Sequence, residues 1–209
     1  MSFDIDIAGR AGGEGEANIA VKIHAADGLT VLFGPSGVGK TSVLNMVAGL
    51  IQPVRGHIRV DGETLFDAAT GIDVPPEHRR MGYVFQDARL FPHMTVRRNL
   101  LYGRRFAPVA DRLLAVEDVV NFLGIGHLLD RWPRSLSGGE ARRVAIGRAL
   151  LGAARSLLLD EPLSSLDHAR REEIMRVIEH IRDALKLPIL MVTHDAGEAE
   201  RLATRIIRL

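Results

Sequence analysis

One octapeptide restricts the fold more than any other part of the chain. GPSGVGKT, residues 34–41, fits G-x-x-x-x-G-K-[ST] at each fixed position. It follows LTVLF, residues 29–33, a continuous apolar run, and leads into TSVLNMVAGL, a helical run. In that order of strand, loop and helix, Gly34, Gly37 and Gly39 let backbone N–H groups converge on phosphate oxygens. The helix start adds partial positive charge. Lys40 then reaches the β- and γ-phosphates of a nucleotide, and the Thr41 hydroxyl ligates Mg²⁺. The whole cradle is Gly34, Pro35, Ser36, Gly37, Val38, Gly39, Lys40 and Thr41.

The rest of the chain supplies a matching framework. MGYVF (81–85), SLLLD (156–160), ILMVT (189–193) and RIIRL (205–209) are short apolar runs like LTVLF. Such runs predict buried parallel strands covered by helices. Phe3, Ile5 and Ile7 alternate with acidic residues, and Ile19, Val21 and Ile23 repeat that period. GHIRVDGETLF (56–66) alternates too and carries an Asp-Gly turn signal. These pieces predict an antiparallel edge. Residues 95 to about 131 carry helical patterns and no convincing strand, and so read as a helical insertion. In residues 168–186, Ile174, Val177, Ile178, Ile181 and Leu185 form one apolar stripe. The expected fold is therefore α/β: a phosphate-loop NTPase core with a mainly parallel sheet, an antiparallel β edge subdomain and a helical insertion subdomain. As one domain over 1–209, the antiparallel part is placed at about 1–28 and 54–75. The core takes about 29–53, 76–90 and 140–209, and the helical part about 91–139.

Two more strands end in chemistry. LLLDEP puts Asp160 and Glu161 at the carboxyl end of an apolar run, where doubly wound sheets bind ligands. Asp160 suits Mg²⁺, directly or through water. Glu161 suits the activation of an attacking water. Gln86 ends GYVFQD and His194 ends ILMVTHD. Singly, each reads as a polar cap at a sheet edge. Together with the loop they read as one polar site, in which His194 holds the γ-phosphate and the water and Gln86 senses Mg²⁺ or that water.

SLSGGEARRVAIGRAL, residues 135–150, poses a separate question. Ser137-x-x-Glu140 is a capping box. Ala141, Val144, Ala145 and Ala149 share a helix face, and Arg142, Arg143 and Arg148 supply charge on the others. A capped helix does not explain Gly138 and Gly139 in its first turn, each costing up to about 1 kcal/mol at an interior site. Close approach of an anion to the backbone does.

The ordered set GPSGVGKT, Gln86, LSGGE, LLLDEP, SSLD (164–167) and His194 resembles the ATP-binding cassette ATPases, and it covers nearly the whole chain. The resemblance implies that two copies sandwich two ATP molecules head to tail. Ser137, Gly138, Gly139 and Glu140 would then act on the partner's γ-phosphate, and Asp167 would relay across the interface. Catalysis would rest on Glu161, His194 and Gln86, with Mg²⁺ on Thr41, Gln86 and Asp160.

GYVFQDARLFPHMTVRRNLLYG and LSGGEARRVAIGRALL are especially similar to the molybdate importers of that family. This implies molybdate or a related oxyanion as cargo, transmembrane permease subunits as partners and, indirectly, a substrate-binding protein. It implies a peripheral position on the cytoplasmic face of a bacterial inner membrane. Leu90, Phe91 and Met94, flanked by Pro92 and His93, form an apolar loop that would receive a permease helix. No apolar run reaches bilayer-spanning length, and the first ten residues lack a signal-peptide apolar stretch, so any membrane role is expected to be peripheral.

Two features depart from the resemblance. The family's adenine-stacking aromatic falls here at Arg10–Glu14, which has none, leaving Phe3 as a substitute. The molybdate type often continues into a regulatory domain, whereas this sequence ends at Leu209. Three other readings compete. A soluble ATPase of this type acting on nucleic acid needs a coiled-coil insertion and favours basic charge; no heptad run occurs, and the formal net charge is +1. An importer ATPase for another small solute fits the same motifs. A small-molecule kinase or GTPase leaves Ser137, Asp167 and His194 without a task. With no cysteine, thiol chemistry and Cys-ligated metal are excluded.

Overall fold

The computed structural model describes residues 3–10, 18–26, 28–108, 110, 112, 114–152 and 154–209. The chain forms two compact units, one of residues 1–79 with 182–209 and one of residues 80–181.

The first unit holds an antiparallel sheet in the order β2-β1-β4-β5-β6. Its strands are β1 (Phe3–Arg10), β2 (Asn18–Ala25), β4 (Arg55–Val60), β5 (Glu63–Asp67) and β6 (Ile72–Asp73). Ile5 pairs with Ile23 on one side and Ile58 on the other. The alternation read from the sequence thus becomes one buried face, with Phe3, Ile5 and Ile7 at 2% exposure or less. Asp61 and Gly62 both have positive φ, 53° and 79°, and join paired Val60 and Glu63 in the tight hairpin that Asp-Gly announces.

The same unit holds three parallel strands. β3 (Leu29–Phe33) lies between β10 (Arg205–Arg208) and β9 (Ile189–Thr193). β9 is buried throughout, as a central apolar run requires. RIIRL differs from expectation. β10 is mostly exposed, because β3 covers one side of it and its two arginines need water. Helix α1 (Lys40–Ala48) packs on β9, and α6 (Ala196–Leu202) packs on β3 and β9.

The second unit is built around one helix, α4 (Gly138–Leu151). It packs on β7 (Met81–Val84), which pairs in parallel with β8 (Ser156–Asp160). It also packs on α2 (Val96–Leu101), α3 (Val116–Leu123) and α5 (His168–His180). The described residues of 95–131 contain no strand, as expected of the insertion. With neighbours on so many sides, α4 buries nine of its fourteen residues, so it has no broad solvated face. Arg142 is 5% exposed, and Arg148 is half-buried. Arg142 and Arg148, expected to supply charge on the helix faces away from Ala141 and Val144, are packed there and not freely solvated.

Candidate active site

In the first unit, the register of two strands builds the site. Phe33 pairs with Thr193, so the phosphate loop leaves β3 and His194 leaves β9 at the same level. Gly37 and Gly39 have φ of 85° and 99°, values that L side chains rarely adopt. A Cβ on Gly34 would lie 2.9 Å from the Leu209 carbonyl oxygen. Helix α1 has Gly39 as its N-cap, with no side-chain cap and no acidic residue in its first turn, as a helix start that faces an anion requires. Lys40 is buried, and its Nζ donates to the carbonyls of Gly34 and Pro35 at 2.8 Å each. Pro35, Ser36, Gly37 and Thr41 are exposed, and Val38 is half-buried. His194 is exposed at the end of a braced turn: Thr193 Oγ1 donates to Glu198 Oε2 at 2.6 Å and accepts from the Asp195 N–H.

In the second unit, Val84 pairs with Leu159, so Gln86 and Asp160 lie just beyond the same end of the β7–β8 pair. Gln86 is exposed, whereas Asp160 is buried. Glu161 is half-buried with φ 42°, and its carbonyl accepts from both the N–H and the hydroxyl of Ser164. A left-handed carboxylate residue at a strand end is the kind of strain that functional sites hold. Tyr83 donates a hydrogen bond to Asp160, and burial, with that carboxylate, pushes its hydroxyl far above the ordinary phenol range. Tyr83 escaped the sequence reading. Its position in a strand was visible, but not which neighbour its hydroxyl meets.

Ser137 begins α4 with the expected capping box. Its Oγ accepts from the Glu140 N–H at 3.3 Å, and its own N–H donates to Glu140 Oε2 at 2.7 Å. That N–H holds the Glu140 carboxyl below its ordinary pKa. Neither Gly138 nor Gly139 has positive φ. A Cβ on Gly138 would make an ordinary 3.5 Å contact with Leu166, and one on Gly139 would press at 3.3 Å on the flexible Arg170 side chain. Nothing around these glycines therefore demands them strongly. Asp167 is exposed and caps α5, accepting from the Arg170 N–H at 3.0 Å.

Two other expectations change. Phe3 is 2% exposed inside the antiparallel sheet, so its ring is a core group and not a platform for adenine. Residues 11–14 lie outside the described residues. Leu90, Phe91 and Met94 are half-buried, and Pro92 and His93 are the exposed members of their loop. The loop wraps Asn99, which is fully buried, accepts from the Phe91 N–H at 2.8 Å and donates to the carbonyls of Phe91 and Met94.

Among the described residues, no group of three imidazole or carboxylate side chains could hold a metal ion. Magnesium commonly takes only one or two carboxylates and completes its shell with water and substrate phosphates, so its binding would not need such a group.

A family model described as ABC transporter matches residues 17–164. The chain is similar to the molybdenum import ATP-binding protein of Mesorhizobium japonicum, with 52% identity over 209 residues, 100% of this chain and 56% of the relative. The counterpart from Brucella melitensis is 55% identical over 198 residues, covering 95% of this chain and 55% of the relative. The chain thus spans about half the length of the curated relatives it matches. Among solved structures, a dimeric ATP-binding cassette bound to ADP and Pi in a post-hydrolysis state superposes with a TM-score of 0.79. The two are 25% identical, over 99% of this chain and 94% of that one.

Proposed function

The chain belongs to the ABC transporter family, and from that premise we propose that it hydrolyses ATP to drive import of molybdate or a related oxyanion through membrane-spanning partners. The names of the relatives support the cargo.

In this reading the N–H groups of residues 34–41 and the Lys40 ammonium bind the β- and γ-phosphates. Lys40 exchanges its two loop carbonyls for phosphate oxygens. Thr41, Gln86 and Asp160 would hold Mg²⁺, which would offset phosphate charge. Tyr83, bonded to Asp160, keeps that carboxylate oriented. Glu161 accepts a proton from the attacking water as the bond from the γ-phosphorus to the bridging oxygen breaks, and ADP and inorganic phosphate leave. His194 orients the water and the γ-phosphate.

The start of α4 completes the site in a second copy. Ser137, Gly138 and Gly139 approach the partner's γ-phosphate, Glu140 keeps their turn closed, and Asp167 communicates across the interface. ATP shifts the monomer–dimer equilibrium because only the γ-phosphate rewards both faces. The observation that carries this reading is the glycine pair at α4, which its own surroundings do not demand. That a similar cassette bound to ADP and Pi is dimeric supports the presence of a second copy. Among the described residues no helix is long and apolar enough to cross a membrane. The names of the relatives support a peripheral place on the cytoplasmic face, with the loop around Pro92 and His93 meeting a permease and a substrate-binding protein delivering cargo to that permease.

Glu161→Gln tests the assignment. The variant is expected to lose ATP turnover by at least about a hundredfold while keeping ATP-induced dimers. Unchanged turnover would remove Glu161 from the role of base. Absence of ATP hydrolysis by the unaltered chain would remove the reading as a whole.

A further inference from the structure

The loop that presents Gln86 has a costly backbone. Ala88 and Arg89, neither of them glycine, have φ of 60° and 42°. Such residues persist in the left-handed region only where their surroundings hold them. Two arginines of α4 do the holding. Arg142 donates Nη1 to the Phe85 carbonyl at 2.6 Å and Nη2 to the Gln86 carbonyl at 2.5 Å. Arg148 donates Nη1 to the Arg89 carbonyl at 2.8 Å and Nη2 to the Ala88 carbonyl at 3.1 Å. Its guanidinium also lies 5.0 Å from the centre of the Phe91 ring.

Arg142 is the more telling of the two. At 5% exposure it is nearly removed from water, which is unfavourable for a cation; its two terminal nitrogens are used by the loop carbonyls, while its buried Nε has no hydrogen-bond partner among the described residues. Burial accordingly lowers its pKa, with Asp87 and Asp160 opposing the shift. A planar guanidinium can hold two neighbouring carbonyls in fixed relation, which an ammonium or an amide cannot do as well. The carbonyl of Gln86 itself is one of the two.

We infer that Arg142 is a positioning residue for Gln86: from the helix that starts at Ser137, it fixes the backbone from which the Gln86 side chain departs. The inference rests on the ATPase reading above. It links the start of α4 to the Gln86 loop, since a displacement of α4 by a partner's nucleotide carries Arg142, and with it Gln86.

Arg142→Gln and Arg142→Lys, each alone and each combined with Gln86→Ala, test this in MgATP hydrolysis with kcat and KM separated. Arg142→Gln is expected to lower kcat about tenfold with KM for ATP changed less than about twofold, and Arg142→Lys to recover part of the loss. In the Gln86→Ala background, Arg142→Gln is expected to change the remaining kcat less than about twofold, because its target is already gone. Losses that multiply in the double variant overturn the inference, as does an unaltered kcat in Arg142→Gln. Failure of both single variants to fold would assign Arg142 to stability and overturn it too. An unaltered chain without ATPase activity overturns the functional reading instead.

Discussion

Arg79 shows how much of the fold depends on single buried cations. Its side chain is 1% exposed, and its guanidinium donates to the carbonyls of Met46, Val47 and Val74 and to Asp73 Oδ1. The first two carbonyls end α1, so a positive charge sits at the negative end of the helix whose other end holds the phosphate loop. Arg79→Met is expected to lower unfolding stability by about 3 kcal/mol, because several buried acceptors lose a charged donor. Urea unfolding of the two proteins checks this, and equal midpoints would contradict it. Glu140 yields a pH dependence. Its folded pKa lies below the ordinary 4.5, so its contribution is complete above that value and is lost as pH falls through the folded one. The stability gap between the unaltered chain and Glu140→Gln should therefore be present near pH 7 and shrink as pH falls through the folded value, and a gap independent of pH would contradict this. Motif residues such as Lys40, Asp160 and Glu161 were legible because their spacing is local. Arg79, Arg142 and Arg148 were not: a sequence displays the charge but not the carbonyls that converge on it.

At the scale of elements, α4 is decisive. Its first turn contains two glycines whose added methyl groups would meet only Leu166 at 3.5 Å and the Arg170 side chain at 3.3–3.4 Å. Alanine is the better helix former. Gly138→Ala and Gly139→Ala should thus leave the thermal midpoint of the isolated chain unchanged or raised, while ATP-induced dimers and ATP turnover fall at least about tenfold. Midpoints and turnover falling together would mean that the glycines serve the helix and not a partner. Strands were easy to read. LTVLF, SLLLD and ILMVT are β3, β8 and β9 at the residues read from the sequence, since continuous apolar runs of that length have few other uses. The stripe of α5 was read one turn too far. The chain changes to a π-helix over Ile181–Leu185, and Leu185 ends half-buried while Ile174, Ile178 and Ile181 are fully buried. A widened turn shifts the register, and period counting does not foresee it.

For the molecule as a whole, the order of the motifs identified the family because each motif is short and its chemistry is local. Which surface meets a second copy is not local, and within one chain only the unexplained glycines point to it. The proposed catalytic groups are divided between the two compact units, with Lys40, Thr41 and His194 in one and Gln86, Asp160 and Glu161 in the other. The central claim is that loop 34–41 of one copy and Ser137–Glu140 of another enclose the same nucleotide. The chain has no cysteine, so single thiols can be placed without background. The most direct measurement mixes Ser36→Cys protein with Ser135→Cys protein, the latter placing its thiol on the exposed residue just before the Ser137 turn, both carrying Glu161→Gln, and oxidises the mixture with and without MgATP. The account predicts a disulfide-linked heterodimer that forms only with MgATP and only when both thiols are present. A mixture that stays monomeric with MgATP, together with an intramolecular disulfide in one chain carrying both thiols, would contradict it.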